Sequence, residues 1–130
     1  MKRIFIERII IYRDGCGEGQ IQYVVEQELK EVNFHIEKIY ATCTESRPQL
    51  GFILINKRIN TRIFSKGRNS YDNPLPGTVV DDVITLPERY DFYLISQSVS
   101  QGTVAPTSYN IIYDTLGLKP KDIQLISYKL

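Results

Sequence analysis

Residues 8–20 read Arg8-Ile9-Ile10-Ile11-Tyr12-Arg13-Asp14-Gly15-Cys16-Gly17-Glu18-Gly19-Gln20. An isoleucine-rich run bounded by glycines has the signature of a strand buried on both faces. It ends in a charged pair, Arg13-Asp14, then in glycines at alternate positions, and a long helical pattern opens at Glu18. A carboxylate at the carboxyl end of such a strand stands where open α/β sheets place their ligands. Asp14 is therefore the first candidate for chemistry. The glycine spacing matches neither the dinucleotide fingerprint nor a P-loop, and a tight strand-to-helix turn accounts for it.

Outward from this stretch, Ile21, Val25, Leu29, Val32, Ile36 and Ile39 recur at steps of three and four, which predicts an amphipathic helix from Glu18 to Tyr40. A polar loop with Pro48 leads to a second buried-strand run, Leu50 to Asn56. Strand, helix and strand in this order predict a βαβ unit. Ile59, Arg62, Ile63 and Phe64 suit a short strand, and Asn73-Pro74-Leu75-Pro76-Gly77 a turn. Val79-Val80 and Val83 to Leu86 read as one strand bent at Asp81-Asp82. Asp91 to Ser96 and Tyr109 to Tyr113 read as two further strands. Lys119 to Leu130 closes with a helix whose first turn takes Pro120 and whose apolar face is Ile123, Leu125, Ile126 and Leu130. The fold class is α/β with a mixed sheet in a single domain.

Net charge is +1 over 130 residues, so bulk electrostatics favour no polyanion. The distribution is uneven. Arg47, Lys57, Arg58, Arg62, Lys66 and Arg68 fall between Ser46 and Tyr71, a span that holds none of the 15 acidic residues. Such segregation points to a phosphate-bearing partner, with a solvated charged face as the plainer explanation. Two cysteines, Cys16 and Cys43, fit no metal or redox spacing and read as reduced thiols of a cytoplasmic or nuclear protein. The N-terminal run carries Lys2, Arg3, Glu7 and Arg8, too many charges for a signal peptide or a membrane span. His35 is the single histidine and lies beside the helical stripe, without a second imidazole to share a metal.

Four segments carry a resemblance: Ile10 to Gln20, Ile55 to Phe64 (Ile-Asn-Lys-Arg-Ile-Asn-Thr-Arg-Ile-Phe), Asn73 to Asp81 (Asn-Pro-Leu-Pro-Gly-Thr-Val-Val-Asp) and Asp91 to Tyr109. In this order they resemble the PIWI domain of Argonaute proteins. The Asn-Pro-Leu-Pro-Gly-Thr and Gln-Gly-Thr-Val-Ala-Pro-Thr-Ser-Tyr-Asn wordings resemble the PIWI clade rather than the microRNA-loading Argonautes. The resemblance implies an RNase H-like PIWI fold, incomplete here, with a mixed central sheet and flanking helices, residues 1–130 being the middle portion of the domain. It implies a role in piRNA-type, small-RNA-guided silencing in the germline, with guide RNA and target RNA as partners and no membrane.

Active members of the family cleave RNA with magnesium held by an Asp-Glu-Asp-His set. Asp14 matches the second Asp, as a catalytic and metal position. The other three positions fall outside the chain, so the chain by itself is expected neither to hold Mg2+ stably nor to cleave. Lys57, Arg58, Asn60 and Arg62 match the stretch that approaches the guide backbone, and Gln97 and Gln101 match polar loop positions near it. Ala105 stands where some Argonautes carry an Arg. The alternative reading is a protein-interaction module or truncated paralogue that pairs through exposed sheet edges or a PIWI-domain pocket. A Rossmann-like nucleotide enzyme has only the glycine loop behind it.

Overall fold

The computed structural model describes residues 5–85 and 90–130. Five strands form one mixed sheet in the order β1-β2-β7-β6-β5. They are β1 (Arg8–Asp14), β2 (Gln49–Asn56), β5 (Val79–Val80), β6 (Tyr90–Leu94) and β7 (Thr107–Asp114). A separate hairpin pairs β3 (Ser65–Lys66) with β4 (Tyr71–Asp72). β1 and β2 are parallel, joined through the long helix as the βαβ reading requires, and the remaining pairs are antiparallel.

The pleat divides β2 between two cores. Leu50, Phe52 and Leu54 face Val24, Leu29 and Ile36 of the long helix, whereas Ile53 faces Phe92, Tyr109 and Ile123. Leu50, Phe52, Ile53 and Leu54 of β2 and Phe92 and Leu94 of β6 are 0–3% exposed, so the two cores meet on these strands. Phe92 and Tyr109 stack with ring centroids 4.9 Å apart across β6 and β7. β1, expected to be buried on both faces, is only half-buried because it forms one edge of the sheet.

The long helix departs from its expected phase. It comprises a 3-10 turn (Glu18–Gln20), an α-helical turn (Ile21–Tyr23), a π-helical stretch (Val24–Leu29) and an α-helix (Lys30–Tyr40). The wider π turn puts residues five apart on one face, so Val24 and Leu29 are buried together and Val25 turns outward. Ile39, also expected inside, is 62% exposed.

Other expectations are corrected. The short strand after β2 is Ser65–Lys66, not Ile59 to Phe64, because pairing with Tyr71–Asp72 defines it. After Val80 the chain leaves the sheet: Val83 has φ +69° and a fully open side chain, and Leu86 lies outside the described residues. In the last helix (Pro120–Lys129) the buried face is Ile123, Gln124 and Ser127, with Leu125 and Leu130 exposed. Gln124 Nε2 donates to Asp81 Oδ2 at 2.7 Å, and Ser127 Oγ lies 3.0 Å from Tyr12 Oη, so polar contacts set that face.

Candidate nucleic-acid interface

β1 and β2 run parallel and in register, Asp14 opposite Ile55, so their carboxyl ends open on the same side of the sheet. Gly15 N donates to Ile55 O, which extends the ladder by one residue, and the chain then turns away with Gly15 at φ +80°, a conformation open to glycine. Gly17 and Gly19 need no such freedom. The consequence of this register is that the last residue of β1 and the first residue beyond β2 stand side by side.

Those residues are Asp14 and Lys57. Lys57 Nζ donates to Asp14 Oδ2 at 2.7 Å. The hydrogen bond from Lys57 holds the Asp14 carboxyl below the usual carboxylate range, against a smaller opposing effect of desolvation. The same bond raises Lys57 above the usual lysine value. Arg13, the sequence neighbour of Asp14, has another task. Its guanidinium forks onto Glu28 through Nε at 3.2 Å and Nη2 at 3.0 Å, while Nη1 donates to the Asp14 carbonyl.

Two adjoining cavities share Cys16, Asn56 and Arg58 in their walls. One, of about 730 Å³, is lined further by Asp14, Gly15, Gly17 and Lys57. The other, of about 550 Å³, reaches Asn60, Thr61, Tyr93 and Asn110 over the face of β6 and β7. Together they make a cleft with Lys57 and Arg58 among its walls. Asn56 Oδ1 accepts from Arg58 N at 3.0 Å, an Asx-type turn that sends the chain across the strand ends.

Of the sequence-derived candidates, Asp14, Lys57, Arg58 and Asn60 therefore converge on one cleft. Arg62 does not line it; its Nη1 donates to the carbonyls of Ile59 and Thr61, so it braces the loop that carries Asn60. Gln97 and Gln101 are exposed and line neither cavity. Their loop is tied instead to the Asn73 turn, where Asn73 Nδ2 donates to Gly102 O and Val104 N donates to Asn73 Oδ1. Asn110 was missed. It pairs with Leu54 across β2 and β7, and a carboxamide inside an apolar strand was the available signal.

The fit to a magnesium centre is poor within this chain. Such a centre needs several carboxylates around the ions. Among the described residues no three His, Cys, Asp or Glu side chains come together, and the carboxylate at the strand end is already paired with a lysine. His35 is exposed on the helix, 3.6 Å from Glu31. Both cysteines are free thiols. Among the described residues no helix is long and apolar enough to cross a membrane.

Comparison with known proteins matches residues 2–130 to the family model for the Piwi domain. The chain is 58% identical over 123 residues to the Piwi-like protein Siwi of Bombyx mori, covering 95% of this chain and 13% of that protein. The crystal structure of Drosophila Piwi superposes with a TM-score of 0.82 at 46% identity, over 95% of this chain and 16% of the other. The crystal structure of Kluyveromyces polysporus Argonaute with a guide RNA gives 0.77 at 27% identity, over 92% of this chain and 16% of the other. The chain thus spans under one-fifth of each of these proteins.

Proposed function

The chain belongs to the Piwi domain family, and from that premise we propose that it binds the backbone of a small guide RNA in the cleft at the carboxyl ends of β1 and β2. The observation that carries this reading is the convergence of Lys57, Arg58 and Asn60 on one cleft beside Asp14. Arg58 offers a planar fork suited to phosphate oxygens, Lys57 a mobile point charge, and Asn60 a neutral donor for phosphate or ribose. Arg62 contributes by shaping the loop. The likeness to an Argonaute whose structure contains a guide RNA supports the assignment of ligand class.

In this reading the chain serves small-RNA-guided silencing, as its PIWI-clade relatives suggest, and the strand paired to the guide is a target RNA. Gln97 and Gln101 would touch the nucleic acid only where it extends past the cleft toward the Asn73 turn. Magnesium-dependent cleavage is not assigned to these residues, because among the described residues no three His, Cys, Asp or Glu side chains come together at a centre that needs several carboxylates.

Fluorescence anisotropy with a labelled single-stranded RNA tests the proposal. Arg58→Glu is expected to weaken binding by at least about tenfold, since it removes one phosphate contact and adds a repulsive charge. Lys66→Glu, a charge reversal of equal size in the hairpin outside the cleft walls, is expected to change affinity far less. Equal losses in the two variants would reduce the interface to bulk charge and refute a built site.

One observation favours a second reading, a protein-binding module. β1 is a sheet edge with Ile9 to Tyr12 half-buried along it, and an added strand could pair there. Binding of that kind would resist salt, whereas phosphate binding would not.

A further inference from the structure

Lys57 is one of two cations lining the cleft, yet in the folded chain its ammonium is held by Asp14 at 2.7 Å. The side chains are 63% and 52% exposed, so the pair is open to exchange with a solute. An exposed ion pair of this kind is worth about tenfold or less in an equilibrium, which a multivalent anion can outbid. Both groups line the cavity that also presents Arg58. A phosphate seated against Arg58 therefore meets an acceptor, Asp14, already holding the second cation.

We propose that Asp14 competes with RNA phosphate for Lys57, so that the resting cleft withholds one cation until the strand displaces the carboxylate. This rests on the RNA-binding reading and deepens it. Asp14 then opposes binding in two ways: the pair must break, and the freed carboxylate faces the phosphate. The first depends on Lys57 and the second does not. Lys57 suits the exchange because its three N–H donors sit on a flexible stem that reaches either partner. Arg13 cannot take over the freed carboxylate without abandoning the fork on Glu28.

A two-by-two binding cycle tests the competition. Oligo(U) RNA affinity is measured by anisotropy in EDTA for the wild type, Asp14→Asn, Lys57→Met and the double variant, with circular dichroism confirming that each is folded. Asp14→Asn is expected to tighten binding by about three- to tenfold when Lys57 is present, and by less than about twofold in the Lys57→Met background. Equal gains in both backgrounds would show only general charge repulsion, and weaker binding by Asp14→Asn would make the carboxylate a support for Lys57; either result overturns the competition while leaving RNA binding intact. Absence of RNA binding by all four proteins would remove the RNA reading together with the competition.

Discussion

Arg13 and Glu28 meet in a two-pronged ion pair that ties the carboxyl end of β1 to the π-helical stretch of the long helix. Arg13 thereby takes the Glu28 carboxylate, and not that of Asp14, as its side-chain partner. The hydrogen bond to Glu28, helped by the carboxylate's charge, holds Arg13 above the usual arginine value. Arg13→Lys keeps the charge and loses the fork, so it is expected to lower Tm slightly, and Arg13→Met to lower it further. Thermal melts by circular dichroism provide the comparison. A Tm unchanged in Arg13→Met would mean that the fork does not anchor the helix.

The tightest packing constraint lies in β2. A Cβ placed on Gly51 would stand 2.6 Å from Leu116 Cδ1, and Leu116 is fully buried. Either Leu116 shifts or the strand moves away from the Thr115 turn, whose hydroxyl accepts from Leu50 N and whose own N donates to Leu50 O. Gly51→Ala is expected to destabilise the chain by about 1–3 kcal/mol, read from urea unfolding. Leu116→Ala alone is expected to cost about 2–5 kcal/mol, and the double variant to lose less than the two single losses added, because the second substitution vacates the space the first requires.

Tyr90 sets an alkaline limit. Burial, with a smaller effect from Asp81, pushes its phenol up to about 12 from an ordinary value of 10.0. In the unfolded chain the phenol loses its proton first, so the folded state binds more protons between these values and stability falls as pH rises through that window. Below pH 10 the group contributes no pH dependence. Denaturant unfolding from pH 9 to about 12 is expected to show a decline that is shallower in Tyr90→Phe. Tyrosinate absorbance of the folded wild type should contain one late-titrating phenol absent from that variant.

How much of this was legible in the sequence depends on whether a residue's role is set locally. The βαβ unit and the burial of β2 follow from apolar runs whose period is intrinsic to the chain. The π stretch does not, because one extra residue per turn leaves the apolar composition unchanged while exchanging Val25 for Val24 inside. Gln124 and Ser127 were hidden for another reason: their partners, Asp81 and Tyr12, lie 43 and 115 residues away in the chain. The site shows the same division. Asp14 and Lys57 were brought together by strand register, which a parallel βαβ pair fixes. That Arg62 turns its Nη1 onto the carbonyls of Ile59 and Thr61 was not legible, because the direction of a long side chain is decided by the loop around it.

Salt dependence of RNA binding tests the central claim most directly. In the proposed reading Lys57 and Arg58 of the cleft walls would each displace counterions from a single strand, with a slope of about −0.7 in log affinity against log salt per phosphate contact. Single-stranded RNA titrated against the wild-type chain and Arg58→Glu over a series of KCl concentrations is expected to give a steep negative slope for the first, and a weaker affinity with a shallower slope for the second. A wild-type affinity independent of salt, or identical slopes in the two proteins, would contradict phosphate recognition by this cleft.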